Sequence, residues 1–316
     1  MSSEYNKMAH DNNSKSIDFA LYFSNISSNL SYFFLMSDIL FSNEDHLNNV
    51  IKHMIADGKE HFHVVADFDR TLTKAFVNWE KSSTVIAQIR NGEYLTPDYA
   101  SKAHKLFDHY NPIEIDPNYP KNEKIEKMYE RWEKHFNLIV QSWLTKEIID
   151  EIVATRSLRF REWSPLFFDI LKQNNIPLVI ISASIGDMIN TYLLQEWFLS
   201  PNIHVVSNFF EYDDNGKTIG VKKTIVHSMN KSEVILDQFD FFDDIKERKN
   251  ILLLWDSLDD IYMADGFVYD NIIKVGFLNA DTPEQRVAFL KVYDVVIVGD
   301  GDMGWVNTLI QKLLSI

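Results

Sequence analysis

The sequence contains no cysteine, and this absence excludes several kinds of protein. A chain without thiols has no disulfide framework, no thiolate zinc site and no cysteine nucleophile. Only ten glycines and eight prolines occur in 316 residues, which argues against a collagen-like chain or one dominated by linkers. With 46% hydrophobic and 24% charged residues, the composition is instead that of a globular protein with a sizeable core.

Positive charge is also scarce, because 31 Lys and Arg face 46 Asp and Glu and leave a formal charge of −15. This balance repels phosphodiester backbones and anionic lipid, so we expect no nucleic-acid partner and no stable membrane association. Residues 19–37 are uncharged, but their Ser and Asn make them too polar for a spanning helix. We expect a buried or interfacial helix there, with contact to another subunit or a membrane as the alternative. The protein is expected to be cytoplasmic, and a monomer or weak homo-oligomer.

Four short apolar runs predict strands that are buried on both faces. They are residues 62–66, 177–181, 251–254 and 295–298. Helical stretches separate the runs, which predicts crossover units and an α/β core with a parallel sheet between helical layers. Each run ends in a polar residue. Because functional groups collect beyond the carboxyl ends of parallel strands, these ends are where chemistry is expected.

The remaining patterns predict three regions. Residues 1–57 are expected to form a polar, disordered tail followed by a helical extension, with Asn43 at the start of its last helix. Residues 58–75 and 160–316 form the predicted core. Residues 76–159 are almost entirely amphipathic helix with one proline-marked break at 111–117, and this length predicts an inserted helical cap.

Asp67 and Asp69 lie two residues apart where the first predicted strand ends. Such a pair can divide the work of phosphoryl transfer. One carboxylate attacks phosphorus, while the other protonates the departing alkoxide and later deprotonates water. Because carboxylates and phosphate repel each other, this scheme requires a divalent cation and an ammonium or hydroxyl group that faces the phosphate.

Two further sites could hold the phosphate. Ser182 ends the second predicted strand, and its hydroxyl together with the amides of Ala183 and Ser184 would form an anion-binding turn. Lys231 can neutralise a phosphoryl oxygen. Taken alone, the serine could be only a helix cap and the lysine only a surface side chain.

Asp256 and Asp260 follow the third predicted strand, four residues apart, and are spaced to face the same side of a helical turn. Hard oxygen ligands of this kind favour Mg²⁺, although a solvated first turn would show the same pattern. The four sites occur in order at the ends of strands of one sheet and complete one another's charge requirements, which favours a catalytic site over coincidence.

These four motifs, in this order, resemble the haloacid dehalogenase superfamily. Other segments are similar to the cytosolic pyrimidine 5′-nucleotidase family of the cytosolic nucleotidase III type. Those segments are residues 109–117, 174–178, 181–187, 201–208 and 263–266. The similarity extends from about Asn48 to the C-terminus and implies a three-layer Rossmann-like core.

The resemblance implies Mg²⁺-dependent hydrolysis of nucleoside 5′-monophosphates, chiefly CMP and UMP, with some members accepting 7-methylguanosine monophosphate. It implies that Asp67 is the nucleophile and Asp69 the acid and base. It also implies that Ser182, the Ala183 amide and Lys231 bind phosphate. The substrate is thus a small nucleotide.

The same resemblance implies that Mg²⁺ is held by Asp67, the carbonyl of Asp69 and Asp256, with Asp260 in support. In the cap it implies that Glu114 contacts the base, where a carboxylate can accept from the exocyclic amine of cytosine. Trp132 and His135 lie one helical turn apart and are the expected stacking and edge contacts.

Three positions depart from the family pattern, which usually has glycine where this chain has Trp255 and Asp259, and often where it has Ser184. Trp255 is expected to crowd the crevice, and Asp259 to add negative charge beside an anion site. Two alternatives therefore stay open. One is the same chemistry on another substrate, as a phosphatase or phosphotransferase for 7-methylguanosine monophosphate or a sugar phosphate. The other is a catalytically silent nucleotide-binding homologue.

Overall fold

The computed structural model describes residues 38–116, 118–231, 238–258 and 268–316. Residues from Leu40 to the C-terminus form one compact unit. The expectations for the tail, for residues 19–37, for Asp259 and Asp260 and for residues 263–266 lie outside the described ranges. Within those ranges, no helix combines the length and the apolar character needed to cross a bilayer.

The protein is built around a seven-stranded sheet with two small antiparallel pairs beside it. The strands are β1 (Ile39–Phe41), β2 (Phe62–Ala66), β3 (Phe76–Val77), β4 (Glu80–Lys81), β5 (Leu178–Ile185), β6 (Ile203–Asn208), β7 (Phe210–Tyr212), β8 (Thr218–Val221), β9 (Asn250–Trp255), β10 (Asn271–Leu278) and β11 (Val295–Val298). The order across the main sheet is β1-β11-β10-β9-β2-β5-β6. The neighbours from β11 to β6 pair in parallel, which confirms the predicted α/β class.

Helices connect and cover these strands. Those in the described ranges are α1 (Glu44–Asp57), α2 (Val85–Asn91), α3 (Tyr99–Ile115), α4 (Lys121–Gln141), α5 (Lys146–Ala154), α6 (Ser164–Gln173), α7 (Gly186–Gln195), α8 (Phe242–Ile245), α9 (Pro283–Leu290) and α10 (Gly304–Leu314). α1 and α9 pack on β10, and α7 packs on β6. In the long segment between β2 and β5, α3 packs against α4, and α4 contacts β8.

The predicted strands agree closely with the sheet. β2 and β11 coincide with the predicted runs, and β5 and β9 begin within one residue of theirs. Every residue of β2, β9 and β11 is buried, as expected for parallel strands that are covered by helices. The turn from Asp213 to Gly216 joins β7 to β8, and Gly216 N donates to Asp213 O at 3.0 Å.

The N-terminal extension is helical only in part. Asn43 caps α1 as expected, because its Oδ1 accepts from the amide of His46 at 3.0 Å. Just before it the predicted helix is wrong, since Ile39–Phe41 forms the edge strand β1 beside β11. The main-chain amide of Ser42 donates to the carbonyl of Asp294 at 3.0 Å. The residue after β1 thus finds a hydrogen-bond partner just before β11.

The predicted break at residues 111–117 is also shorter than expected, because α3 runs through Pro112 before it ends. Lys124 on α4 explains how the helix end is stabilised. Its Nζ donates to the carbonyls of Glu114 at 3.1 Å and Asp116 at 2.6 Å, two groups that would otherwise lack partners at a helix C-terminus.

Candidate active site

Three of the predicted motifs lie at one edge of the sheet. Asp67 directly follows β2 and Asp256 directly follows β9. The prediction that Ser182 ends its strand is wrong, because β5 continues past Ser182 to Ile185. β2 lies between β9 and β5, and Ala66 is level with Leu254 of β9. Because parallel strands end at the same edge, the fold places these three residues at one edge of the sheet, where a crevice is expected.

Lys231 joins this group from a loop that follows β8. Its Nζ donates to Asp67 Oδ1 at 3.2 Å, and both side chains are at most 10% exposed. The same Nζ lies 4.4 Å from the centroid of the Trp255 ring. Trp255 is buried in an apolar cluster of the core, so its bulk is taken up by packing.

The side chain of Asp69 is bonded to the first residue of α2, because the amide of Val85 donates to Asp69 Oδ1 at 2.9 Å. Desolvation and the nearby Asp67 carboxylate raise the pKa of Asp69 to about 7. A carboxyl with this pKa carries a proton in much of the population near neutral pH. That is the form in which it could act as a general acid.

Residues 182–184, predicted as a turn, are part of β5, and Asn208 at the end of β6 is bonded to them. Ser182 Oγ accepts from the amide of Ser184 at 3.2 Å. Asn208 Nδ2 donates to the carbonyls of Ala183 at 2.9 Å, Ser184 at 3.1 Å and Val226 at 2.9 Å. Asn208 therefore ties this part of β5 to the loop that leads to Lys231. It lies in a segment that carries the resemblance, but no role was predicted for it.

A buried arginine, Arg161, is the centre of a network of hydrogen bonds that reaches Asp256. The side chain of Arg161 has no exposed surface and donates to Thr71 O at 2.6 Å, Asn279 Oδ1 at 2.7 Å and Asp300 Oδ1 at 3.1 Å. It also donates to the carbonyls of Arg70 and Gly301. Burial lowers the pKa of Arg161 to about 10, so it stays protonated at neutral pH.

This arginine reaches the predicted metal ligand through one intermediate side chain. Asn279 accepts from Arg161, and its Nδ2 lies 3.4 Å from Asp256 Oδ2 and 3.1 Å from the carbonyl of Arg70. Asp300 also accepts from the main-chain amides of Ala75 and Phe76, which follow Asp69 in the chain. The sequence predicted the strand at residues 295–298, just before Asp300, but it predicted no role for Arg161, Asn279 or Asp300.

Glu114 lies where the helical segment meets the core. Its Oε2 lies 2.5 Å from Arg131 Nη1 on α4, and Ser228 Oγ donates to its Oε1 at 2.9 Å. Ser228 belongs to the loop that carries Lys231. The predicted base contact is thus near the loop of Lys231, with both carboxylate oxygens engaged by protein groups.

Trp132 and His135 lie in an aromatic stack inside the helical segment. The ring of Trp132 is 6.2 Å from that of His135 and 5.4 Å from that of Phe136, and both pairs are nearly parallel. His135 Nε2 lies within hydrogen-bond distance, 3.0 Å, of the Tyr99 hydroxyl. These contacts are among residues of α3 and α4, so the stacking and edge contacts with a base stay predictions.

The burial of His135 gives a pH-dependent stability. Desolvation and the nearby Arg131 lower its pKa to about 3 in the folded protein, so below pH about 6.5 only the unfolded chain takes up the proton. The free energy of unfolding should therefore decrease as the pH is lowered below about 6.5, by up to about 1.4 kcal/mol per pH unit for this one group. His135→Gln should flatten that dependence in urea unfolding between pH 7 and pH 5. Phe136→Leu is the matched control, since it should lower stability with the pH slope unchanged. A His135→Gln slope equal to that of the wild type would contradict this expectation.

The oxygen donors at the crevice suit a hard cation. Across the described part of the chain, no three His, Asp or Glu side chains form a group that could hold a metal ion. The set that the resemblance implies is the carboxylates of Asp67 and Asp256 together with the main-chain carbonyl of Asp69. An all-oxygen set with few protein ligands fits Mg²⁺, which usually retains several waters. Asp260 lies outside the described residues.

Comparison with known proteins identifies the family. The family model for pyrimidine 5′-nucleotidase (UMPH-1) matches residues 70–314. The 7-methylguanosine phosphate-specific 5′-nucleotidase of Rattus norvegicus is 33% identical over 281 residues, 89% of this chain and 94% of that protein. The 7-methylguanosine phosphate-specific 5′-nucleotidase A of Xenopus laevis is 37% identical over 266 residues, 84% of this chain and 92% of that protein.

A solved structure agrees with this result. The crystal structure of cytosolic 5′-nucleotidase IIIB bound to cytidine superposes with a TM-score of 0.80 and 27% identity, over 88% of this chain and 94% of that one. The α/β core agrees with that structure, and the expectation of a 5′-nucleotidase in the phosphoric monoester hydrolase class is confirmed. The chain belongs to the pyrimidine 5′-nucleotidase (UMPH-1) family.

Proposed function

We propose that the protein hydrolyses the pyrimidine nucleoside 5′-monophosphates CMP and UMP through an aspartyl-phosphate. The observation that carries this proposal is the 3.2 Å contact between Lys231 Nζ and Asp67 Oδ1 at the end of β2. A buried carboxylate beside an ammonium can approach a phosphate dianion, because the cation offsets the repulsion between the two anions.

The reaction needs two displacements at phosphorus. In the first, a carboxylate oxygen of Asp67 forms a bond to phosphorus as the bond to the ribose 5′-oxygen breaks. Asp69 gives its proton to that oxygen, and the nucleoside leaves. In the second, water attacks the acyl-phosphate while Asp69 takes the proton back, which releases phosphate and restores Asp67. Ser182 and the Ala183 amide bind the phosphoryl oxygens together with Lys231.

Asp67, the carbonyl of Asp69 and Asp256 would hold Mg²⁺, with Asp260 in support. When bound, the ion supplies Lewis-acid neutralisation of the phosphoryl oxygens. Asn279 contributes from the protein side, because its contact with Asp256 Oδ2 orients that carboxylate toward the crevice.

We propose that residues 76–159 act as a cap that recognises the base and excludes water when it closes. Glu114 would accept from the cytosine amine, with Trp132 and His135 beside the base. A second candidate substrate is 7-methylguanosine monophosphate, because the relatives from Rattus norvegicus and Xenopus laevis are named for it. A cytosolic location is proposed from the name of the similar solved structure, and a monomer or weak homo-oligomer is proposed as the working form.

The test is phosphate release from CMP, UMP, 7-methylguanosine monophosphate and sugar phosphates, with Mg²⁺ and after chelation. We expect kcat/KM for CMP and UMP to exceed that for sugar phosphates by at least about tenfold, since sugars leave the cap contacts unused. Chelation should remove the activity, and added Mg²⁺ should restore it. Preference for 7-methylguanosine monophosphate would support the second candidate. Release only from sugars, or CMP binding with no turnover, would overturn the proposal.

A further inference from the structure

Trp255 occupies a position beside the Lys231 ammonium that the proposed reaction does not yet use. We propose that Trp255 is a positioning residue that holds this ammonium in place for phosphoryl transfer. The inference rests on the proposed function, in which Lys231 neutralises the phosphoryl oxygens. It concerns how the cation is held and leaves the identity of the substrate open.

The geometry is that of a cation lying against an aromatic ring. Lys231 Nζ is 4.4 Å from the centroid of the Trp255 ring, within the range of an attractive cation–π contact. It also donates to Asp67 Oδ1 at 3.2 Å. Lys231 is only 7% exposed, so its ammonium has lost most of its hydration and depends on such neighbours. In a desolvated site, tryptophan is the strongest of the aromatic partners.

An aromatic ring suits this position better than a second carboxylate would. A carboxylate would also hold the ammonium, but its negative charge would repel the incoming phosphate dianion. The indole face attracts the cation and carries no net charge. A lysine side chain is otherwise a flexible stem that ends in a point charge, so a fixed partner reduces the freedom lost when phosphate binds.

The ring itself is held firmly by the core. Trp255 is the last residue of β9, is 1% exposed, and shares a buried cluster with Tyr293. Its register partner on β10 is Gly276, where an added Cβ would lie 2.6 Å from a ring carbon of Tyr293. The Tyr293 hydroxyl donates to the carbonyl of Ser257, just beyond Trp255. The indole is therefore a rigid support for the lysine ammonium.

The contact with Lys231 gives a function to Trp255, which stands where the family pattern usually has glycine. Glycine at position 255 would offer Lys231 no ring. A chain with tryptophan there has a second means of fixing the ammonium, built into the strand that also carries Asp256.

The test compares two substitutions that keep position 255 apolar and filled. Trp255→Leu removes the ring face and should lower kcat/KM for CMP by about tenfold, with a matching loss of affinity for inorganic phosphate measured by calorimetry with Mg²⁺. Trp255→Phe keeps an aromatic face and should recover most of that loss. Phe289→Leu, in the same buried cluster, is the control for packing, and should lower the unfolding temperature without weakening phosphate binding.

A double-mutant cycle with Lys231→Met separates positioning from general packing. If Trp255 acts through the ammonium, Trp255→Leu should weaken phosphate binding less than about twofold further in the Lys231→Met protein. A full tenfold loss in that background would overturn the inference. So would a Trp255→Phe protein as impaired as Trp255→Leu, since both outcomes indicate a packing role.

The two proposals fail in different ways. If the wild-type protein releases no phosphate from nucleotides, the proposed function is wrong. The coupling between Trp255 and Lys231 is then decided by affinity for inorganic phosphate alone. If nucleotides are hydrolysed and the cycle shows no coupling, only the role of Trp255 is wrong.

Discussion

Asp67→Asn is expected to lower phosphate release by at least about 10⁴-fold while the protein stays folded. The amide has the shape of the carboxylate but lacks its nucleophilic oxygen, so no acyl-phosphate can form. Its carbonyl oxygen can still accept from Lys231 Nζ, which lies 3.2 Å from the carboxylate in the wild type. The measurement is steady-state phosphate release from CMP, with circular dichroism and thermal unfolding as checks on the fold.

Binding should separate this chemical loss from a damaged site. Removing a negative charge beside Lys231 reduces repulsion toward phosphate, so Asp67→Asn should bind CMP at least as tightly as the wild type. Asp214→Asn, at an exposed position in the β7–β8 turn, is the matched control and should leave turnover unchanged. Quenched wild-type enzyme should carry one phosphoryl group that Asp67→Asn lacks. Turnover within about tenfold of the wild type would mean that a group other than Asp67 attacks phosphorus.

The sequence was sufficient to predict the strands that carry the candidate catalytic residues, because the relevant signals are local. β2 and β11 are unbroken apolar runs, and a buried parallel strand requires such a run. β10 was not predicted, because Lys274 and Gly276 interrupt its apolar pattern. Its burial comes from neighbours on both sides in the sheet, and no single segment contains that information.

The supporting network of the site could not be predicted, because its partners are distant in the chain. Arg161 lies in a short stretch with Arg156 and Arg159, and closely spaced arginines are typical of a solvated surface. Only the fold shows that Arg161 alone turns inward, toward carbonyls and side chains from 90 to 140 residues away. The same holds for Asn208, which joins β5 to the loop at Val226.

Arg161→Met is expected to reduce the free energy of unfolding by about 3–5 kcal/mol, because it removes one partner of a buried ion pair. The substitution keeps an unbranched apolar stem but leaves Asp300, whose side chain is 9% exposed, without its cation. It also removes the donors to the carbonyls of Arg70 and Thr71. A loss of this size is a large fraction of the stability of a typical domain. Urea unfolding at neutral pH measures it.

The same substitution should also weaken binding of Mg²⁺, since Arg161 fixes Asn279 and Asn279 lies 3.4 Å from Asp256 Oδ2. We expect the Mg²⁺ concentration for half-maximal activity to rise about tenfold or more, the usual cost of losing a group that orients a ligand. Adding Asp300→Asn should recover part of the stability, because no unpaired charge then stays buried. Arg159→Met is the exposed control and should change stability by less than about 0.5 kcal/mol. If Arg161→Met lowered the free energy of unfolding no more than this control, the role of Arg161 would be wrong. Its hydrogen bonds would then not be what holds Asp256 and the turn after Asp69 in place.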